Sequence, residues 1–89
     1  MSAALRLDDM TIYTAEENKK NIVQALSDDV QEIDLSEVTE IDTSGIQLLL
    51  MARKQADKQE KPLNFIAASD EVKNLVRQLH LSEFLQLEI

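Results

Sequence analysis

Apolar positions change their period several times along the chain, and each change predicts an element. Residues 4–7 are a short apolar run stopped by Asp8 and Asp9, and Met10 and Ile12 follow, which together predict one or two brief strands about a turn. At Thr14-Ala15-Glu16-Glu17 the spacing is that of a capping box, so a helix starts there. Ala15, Ile22, Val23, Ala25 and Leu26 then share one broad face at helical spacing, which carries this helix to about Ser27. In residues 30–36, Ile33 and Leu35 alternate with Glu32 and Asp34, the period of a strand.

A second helix is expected from about Ser44. Its apolar positions, Ile46, Leu48, Leu49, Leu50, Met51, Ala52 and Ala56, cover so much of its circumference that it must be largely buried. Pro62 closes its solvated tail, and residues 63–68 read as a strand beside the 30–36 strand, apolar on both faces except at Asn64. Ser69, Asp70 and Glu71 begin a third helix with negative charge at its positive end, and Val72, Leu75, Val76 and Leu79 form its stripe. Leu81, Phe84, Leu85, Leu87 and Ile89 are apolar enough to pack, ending in an edge strand. The alternation predicts an α/β fold, one sheet with helices packed against it, in a single domain over residues 1–89.

Composition narrows the functions open to such a fold. The 89 residues hold 17 Asp and Glu against 9 Lys and Arg, a net charge of −8, which repels phosphate backbones and anionic membranes; nucleic acid is not an expected partner. There is no Cys, so neither disulfides nor thiolate metal sites can form. Residues 1–7 lack a basic start with a long apolar run, and no stretch approaches the ~20 apolar residues that cross a bilayer, so a cytoplasmic protein without membrane insertion is expected. The only Gly lies in no phosphate-binding loop, and no cofactor is implied. His80 is the only His and falls at the end of the third helix, where a contact with the negative helix end is the natural role. Carboxylate pairs such as Asp8-Asp9 are expected by chance in so acidic a chain, so no catalytic residue and no metal site is assigned. Lys54, Lys58 and Lys61 read as a solvated face balancing Asp57 and Glu60.

The informative segment lies between the 30–36 strand and the second helix, Glu40-Ile41-Asp42-Thr43-Ser44-Gly45-Ile46. Two adjacent hydroxyls at a helix start, followed by a residue without a side chain, make a site that a kinase or phosphatase can reach. A phosphate there would meet free backbone N–H groups and the positive helix end. The plainer reading makes Ser44 an N-cap with Gln47 completing a capping box. A partner surface would surround this first turn, at Asp42, Gly45, Ile46 and Gln47, together with Thr11, Tyr13 and Thr14 before the first helix.

Asp42-Thr43-Ser44-Gly45-Ile46 resembles the Asp-Ser-Ser-Gly-Leu signature of the STAS family, founded on bacterial anti-sigma-factor antagonists. Thr14-Ala15-Glu16 resembles the family's first-helix start, Ile33-Asp34-Leu35 its central strand, and the segment from Val72 to Leu81 its third helix. The resemblance implies a small mixed sheet with helices packed against it, and a non-enzymatic interaction module of bacterial signalling. It also implies phosphorylation at Thr43, which stands where the family has its modified Ser, with Ser44 as second candidate. The implied partners are an anti-sigma factor that is also a serine/threonine kinase, and a phosphatase. Short STAS domains also resemble small cytoplasmic subunits that dock on the ATPase of lipid-exporting ABC transporters, an alternative setting. An acyl carrier protein is a more distant alternative for a short acidic chain with Ser at a helix start; the strand at residues 30–36 and the Thr43 between Asp42 and Ser44 oppose it.

Overall fold

The computed structural model describes residues 4–87. The order is β1 (Leu5–Arg6), α1 (Ala15–Ser27), β2 (Glu32–Asp34), α2 (Thr43–Lys58), β3 (Asn64–Ile66), α3 (Asp70–Gln78) and α4 (Ser82–Leu85). The strands lie side by side as β1-β2-β3, all parallel, with Leu5 and Phe65 flanking Ile33. Among the described residues the sheet is therefore parallel and not mixed. Parallel neighbours need a long crossover, and α1 and α2 each provide one. Met10 adds one isolated parallel bridge to Ile41 in place of a second strand, because the chain turns at Thr11.

Burial follows the periodicity with instructive exceptions. On α1 the buried set is Asn18, Ile22, Ala25 and Leu26; Val23 is 48% exposed, since one residue is a step of 100° around the helix. Asn18 closes the upper end of that stripe by donating through Nδ2 to the Asp9 carbonyl at 3.0 Å. Ile33, Leu35, Leu49, Ala52 and Ala56 form the centre of the core with Val72 and Val76 of α3. Leu79, expected in the α3 stripe, is exposed, as it caps the helix and no longer follows its spiral. On β3 Phe65 is buried, Ile66 only half-buried and Asn64 exposed, so this strand is not covered on both faces as its sequence suggested.

Arg53 is a buried charge at only 4% exposure. Its guanidinium donates to the carbonyls of Leu63 at 2.9 Å and Leu85 at 3.3 Å, and lies over the Phe65 ring at 5.2 Å from the centroid. It thereby ties α2 to the entry of β3 and to α4. After α3 the described residues form the four-residue α4 and no edge strand: Leu85 and Leu87 are buried, Phe84 is exposed, and Ile89 lies outside the described residues.

The helix ends show how a chain with one Gly terminates its helices. After α1, α2 and α3 the residues Asp29, Glu60 and His80 adopt left-handed φ of 60°, 56° and 57°. The following amides, of Val30, Lys61 and Leu81, bond back to the carbonyls of Ala25, Ala56 and Val76 at 2.9, 2.9 and 3.0 Å, which is the Schellman arrangement. His80 thus serves as the turning residue after α3, and its backbone donates to the Arg77 carbonyl. Side-chain-bearing residues occupy αL at a cost that Gly does not carry, about 1 kcal/mol or more. Glu60→Gly is therefore expected to stabilise the fold by roughly 0.5–1 kcal/mol, read as a higher denaturation midpoint at unchanged m-value. An unchanged or lower midpoint would show that Glu60 does not occupy this conformation.

Lys61 does not balance Asp57 or Glu60. Its ammonium donates to the Leu26 carbonyl at 2.7 Å and pairs with Asp29 at 3.1 Å, so it caps the negative end of α1. At the end of β2 the Ser36 hydrogen bonds, including the Ser36 amide to Asp34 Oδ1 at 2.8 Å, hold the Asp34 carboxyl below its ordinary value of 3.8, and Arg6 at 3.5 Å adds to this. A depressed folded-state pKa contributes stability that is complete above the unfolded pKa and disappears as pH falls through the folded one. Asp34→Asn is accordingly expected to make the acid side of the stability curve less steep below about pH 4. Parallel curves for the two proteins across this range would contradict the assignment.

Candidate partner-docking site

The segment joining β2 to α2 is organised around one carboxylate. Asp42 is the N-cap of α2, in extended conformation, and its Oδ1 accepts from the Ser44 amide at 2.9 Å and the Gly45 amide at 3.3 Å. Its Oδ2 reaches a residue thirty positions earlier and accepts from the Ile12 amide at 3.0 Å. The expected cap at Ser44, with Gln47 completing a box, is therefore corrected: Ser44 is the second helical residue, and the Asp42 side chain two residues earlier has taken the cap. The free N–H groups expected to receive a phosphate are corrected with it, because Asp42 already binds those of Ser44 and Gly45.

Gly45 is present for packing. It is buried against the 10–41 bridge, and a Cβ there would lie 2.3 Å from the Met10 carbonyl oxygen, 2.8 Å from Met10 Cβ and 2.9 Å from Ile41 Cγ1. Open access for an enzyme, the reason first read into this position, is not what the missing side chain provides. Ile46 is likewise buried in the core at 3% exposure, so neither residue reaches the surface where a partner would sit.

Residues 11–14 form an exposed turn beside the start of α2. The Thr14 amide bonds to the Thr11 carbonyl at 3.1 Å, closing a turn, and the Tyr13 amide donates to Thr11 Oγ1. Thr14 forms no side-chain cap on α1, contrary to the box read from its sequence. Its hydroxyl faces back into the turn, accepting from the Thr11 amide at 3.0 Å and donating to the Asp9 carbonyl at 2.8 Å. Ile12 and Tyr13, at the two central positions, are pushed into solvent at 66% and 94% exposure.

Of the residues singled out in the sequence, Thr11, Tyr13 and Thr14 stand on this turn and Asp42 beneath it. Thr43 and Gln47 are exposed on the first turns of α2, and Ser44 is half-buried. Ile12 was not among them. The signal for it was available in two bulky apolar residues held between Thr11 and Thr14, at turn positions that ordinarily take small or polar residues. Beyond Asp42 a shallow groove runs between residues 39–42 and α3, bounded by Thr11, Glu40, Ile41, Glu71 and Leu75. Among the described residues no group of three His, Asp or Glu side chains is placed to hold a metal ion, and no helix is long and apolar enough to cross a membrane.

The start of α2 thus places the exposed Thr43 beside the exposed Ile12 and Tyr13 of the 11–14 turn. The family model described as "Mlab, STAS domain" matches residues 2–87, nearly the whole chain, and the chain belongs to the STAS domain family. It is an interaction module of the anti-sigma-factor-antagonist-like kind, in a family whose domains are generally non-enzymatic. No curated protein matches the chain.

Proposed function

We propose that this chain is a bacterial, cytoplasmic docking module whose partner-facing surface is the 11–14 turn with the exposed first turn of α2, and whose affinity is set by phosphorylation of Thr43. One observation carries the reading. Two large apolar side chains stand in solvent on a turn whose backbone is bonded to Asp42, the residue next to the exposed Thr43. Desolvating Ile12 and Tyr13 requires a partner surface, and modification one residue from their anchor is placed to alter it.

In the modifying step a nucleoside triphosphate gives its terminal phosphoryl group to Thr43 Oγ1. The O–P bond to threonine forms, the bond to the bridging oxygen breaks, and nucleoside diphosphate and a proton leave. The product adds roughly −1.5 to −2 charges beside Asp42 and near Glu40. With the local amides already occupied, it acts by repulsion and competition and gains no ready cradle. Thr43 is favoured over Ser44 because it is the more exposed of the two.

The test is intact-mass spectrometry with fragment mapping on protein from its native host. A single phosphate within residues 41–48 is expected, placed on Thr43 and absent from Thr43→Ala. A second reading, an unswitched adaptor docked on a transporter ATPase through the same turn, is favoured by the occupied amides of Ser44 and Gly45. Under it no phosphate is found, and an ATPase co-purifies with the wild type and with Thr43→Ala in equal amount.

A further inference from the structure

We infer that Asp42 is the positioning residue of the docking turn, coupling the charge at position 43 to the conformation of Ile12 and Tyr13. The inference rests on the docking reading above and names how its surface is regulated. Asp42 makes two kinds of bond with one carboxylate: Oδ1 holds the start of α2 through Ser44 and Gly45, and Oδ2 holds the turn through the Ile12 amide at 3.0 Å. Its own amide donates to the Met10 carbonyl at 3.2 Å, and Met10 in turn donates to the Glu40 carbonyl at 2.8 Å. The backbone on either side of this residue is therefore held, while its carboxylate remains the bond between helix and turn.

The two halves of the turn differ in what holds them. Thr14 and Asn18 fasten its C-terminal end to the Asp9 carbonyl. At its centre the Ile12 amide has the Asp42 carboxylate as its acceptor, with both residues near solvent. A negative charge introduced at position 43 stands on the adjacent residue at the same helix start. It repels the carboxylate, and it competes for the N–H groups and the positive helix end that keep Asp42 in place. The bond to Ile12, exposed where those to Ser44 and Gly45 are partly buried, is the one released. The apolar turn then samples orientations a rigid partner surface does not fit, which lowers affinity without unfolding the domain.

The experiment needs no partner. Solvent exchange of the backbone amides is followed by NMR in four proteins: Thr43→Glu, its neutral counterpart Thr43→Gln, Asp42→Asn, and Asp42→Asn combined with Thr43→Glu. Asn remains a good N-cap and keeps one carbonyl acceptor for α2, so the fold is retained, but its amide nitrogen cannot accept from Ile12. Thr43→Glu is expected to exchange its Ile12 amide about tenfold faster than Thr43→Gln, a loss equivalent to about 1.4 kcal/mol of protection. Asp42→Asn alone should reach the same rate, and adding Thr43→Glu to it should change nothing further. Equal Ile12 rates in Thr43→Glu and Thr43→Gln overturn the coupling, as does an acceleration that persists on the Asp42→Asn background. Failure of the docking reading appears elsewhere, in an Ile12 and Tyr13 surface that no partner covers, while the exchange pattern still holds.

Discussion

Replacing Gly45 by alanine is expected to lower the unfolding free energy by about 2 kcal/mol and the melting temperature by roughly 10 °C. The sign is the informative part. In a helix whose surroundings leave room, Gly→Ala stabilises by about 1 kcal/mol through helix propensity. At position 45 the new methyl would sit 2.3 Å from the Met10 carbonyl oxygen, and that atom cannot retreat cheaply. Met10 donates to the Glu40 carbonyl, and its own carbonyl accepts from Asp42, so moving it breaks the bridge that joins the start of α2 to the sheet side of the fold. Overpacking of this kind costs about 1–3 kcal/mol and here exceeds the propensity gain. Chemical denaturation of the two proteins decides the matter; a stabilised alanine variant would show that the helix start is free to move away from Met10.

The second large effect is on binding and leaves the fold alone. Ile12→Ser with Tyr13→Ser is expected to weaken partner affinity by roughly 100-fold, about 3 kcal/mol, which is what two apolar anchors at the centre of an interface carry. Stability should change by no more than about 0.5 kcal/mol, because both side chains are exposed and the turn is held by Thr11, Thr14 and Asp42. Titration calorimetry against the partner recovered by crosslinking from the native host, with a parallel melt, separates the two quantities. Unchanged affinity at unchanged stability would place the docking face elsewhere. A fall in both would mean the side chains belong to the fold, in contradiction to their exposure.

These predictions concern the two elements that differ most between sequence and structure. The segment from Asp42 to Ile46 was legible as a helix start and a candidate site because hydroxyls, an acid and the only Gly meet there. Its internal roles were not. Asp and Ser are both good N-caps, so local propensity cannot choose between Asp42 and Ser44; the choice is made by the Ile12 amide, which gives the second carboxylate oxygen a partner thirty residues away. Gly45 is required by a contact with Met10, still more distant in sequence. Thr14 matched a capping box by spacing, yet its hydroxyl closes the 11–14 turn, an alternative open to any Thr before a helix.

Elsewhere the division follows the range of the interaction. Periodicity in the sequence by itself determined α1, α2 and α3, the β2 and β3 strands and the Ser69 cap, whose hydroxyl accepts from the Val72 amide at 3.3 Å. A helix or strand displays its apolar face through neighbours one to four residues apart. Tertiary structure alone decided how much of each face is covered, leaving Val23, Leu79 and Phe84 in solvent and enclosing the charge of Arg53. It also decided that the sheet is parallel and that Asp42 holds both a helix and a turn, because those outcomes depend on groups that only folding brings within hydrogen-bonding distance.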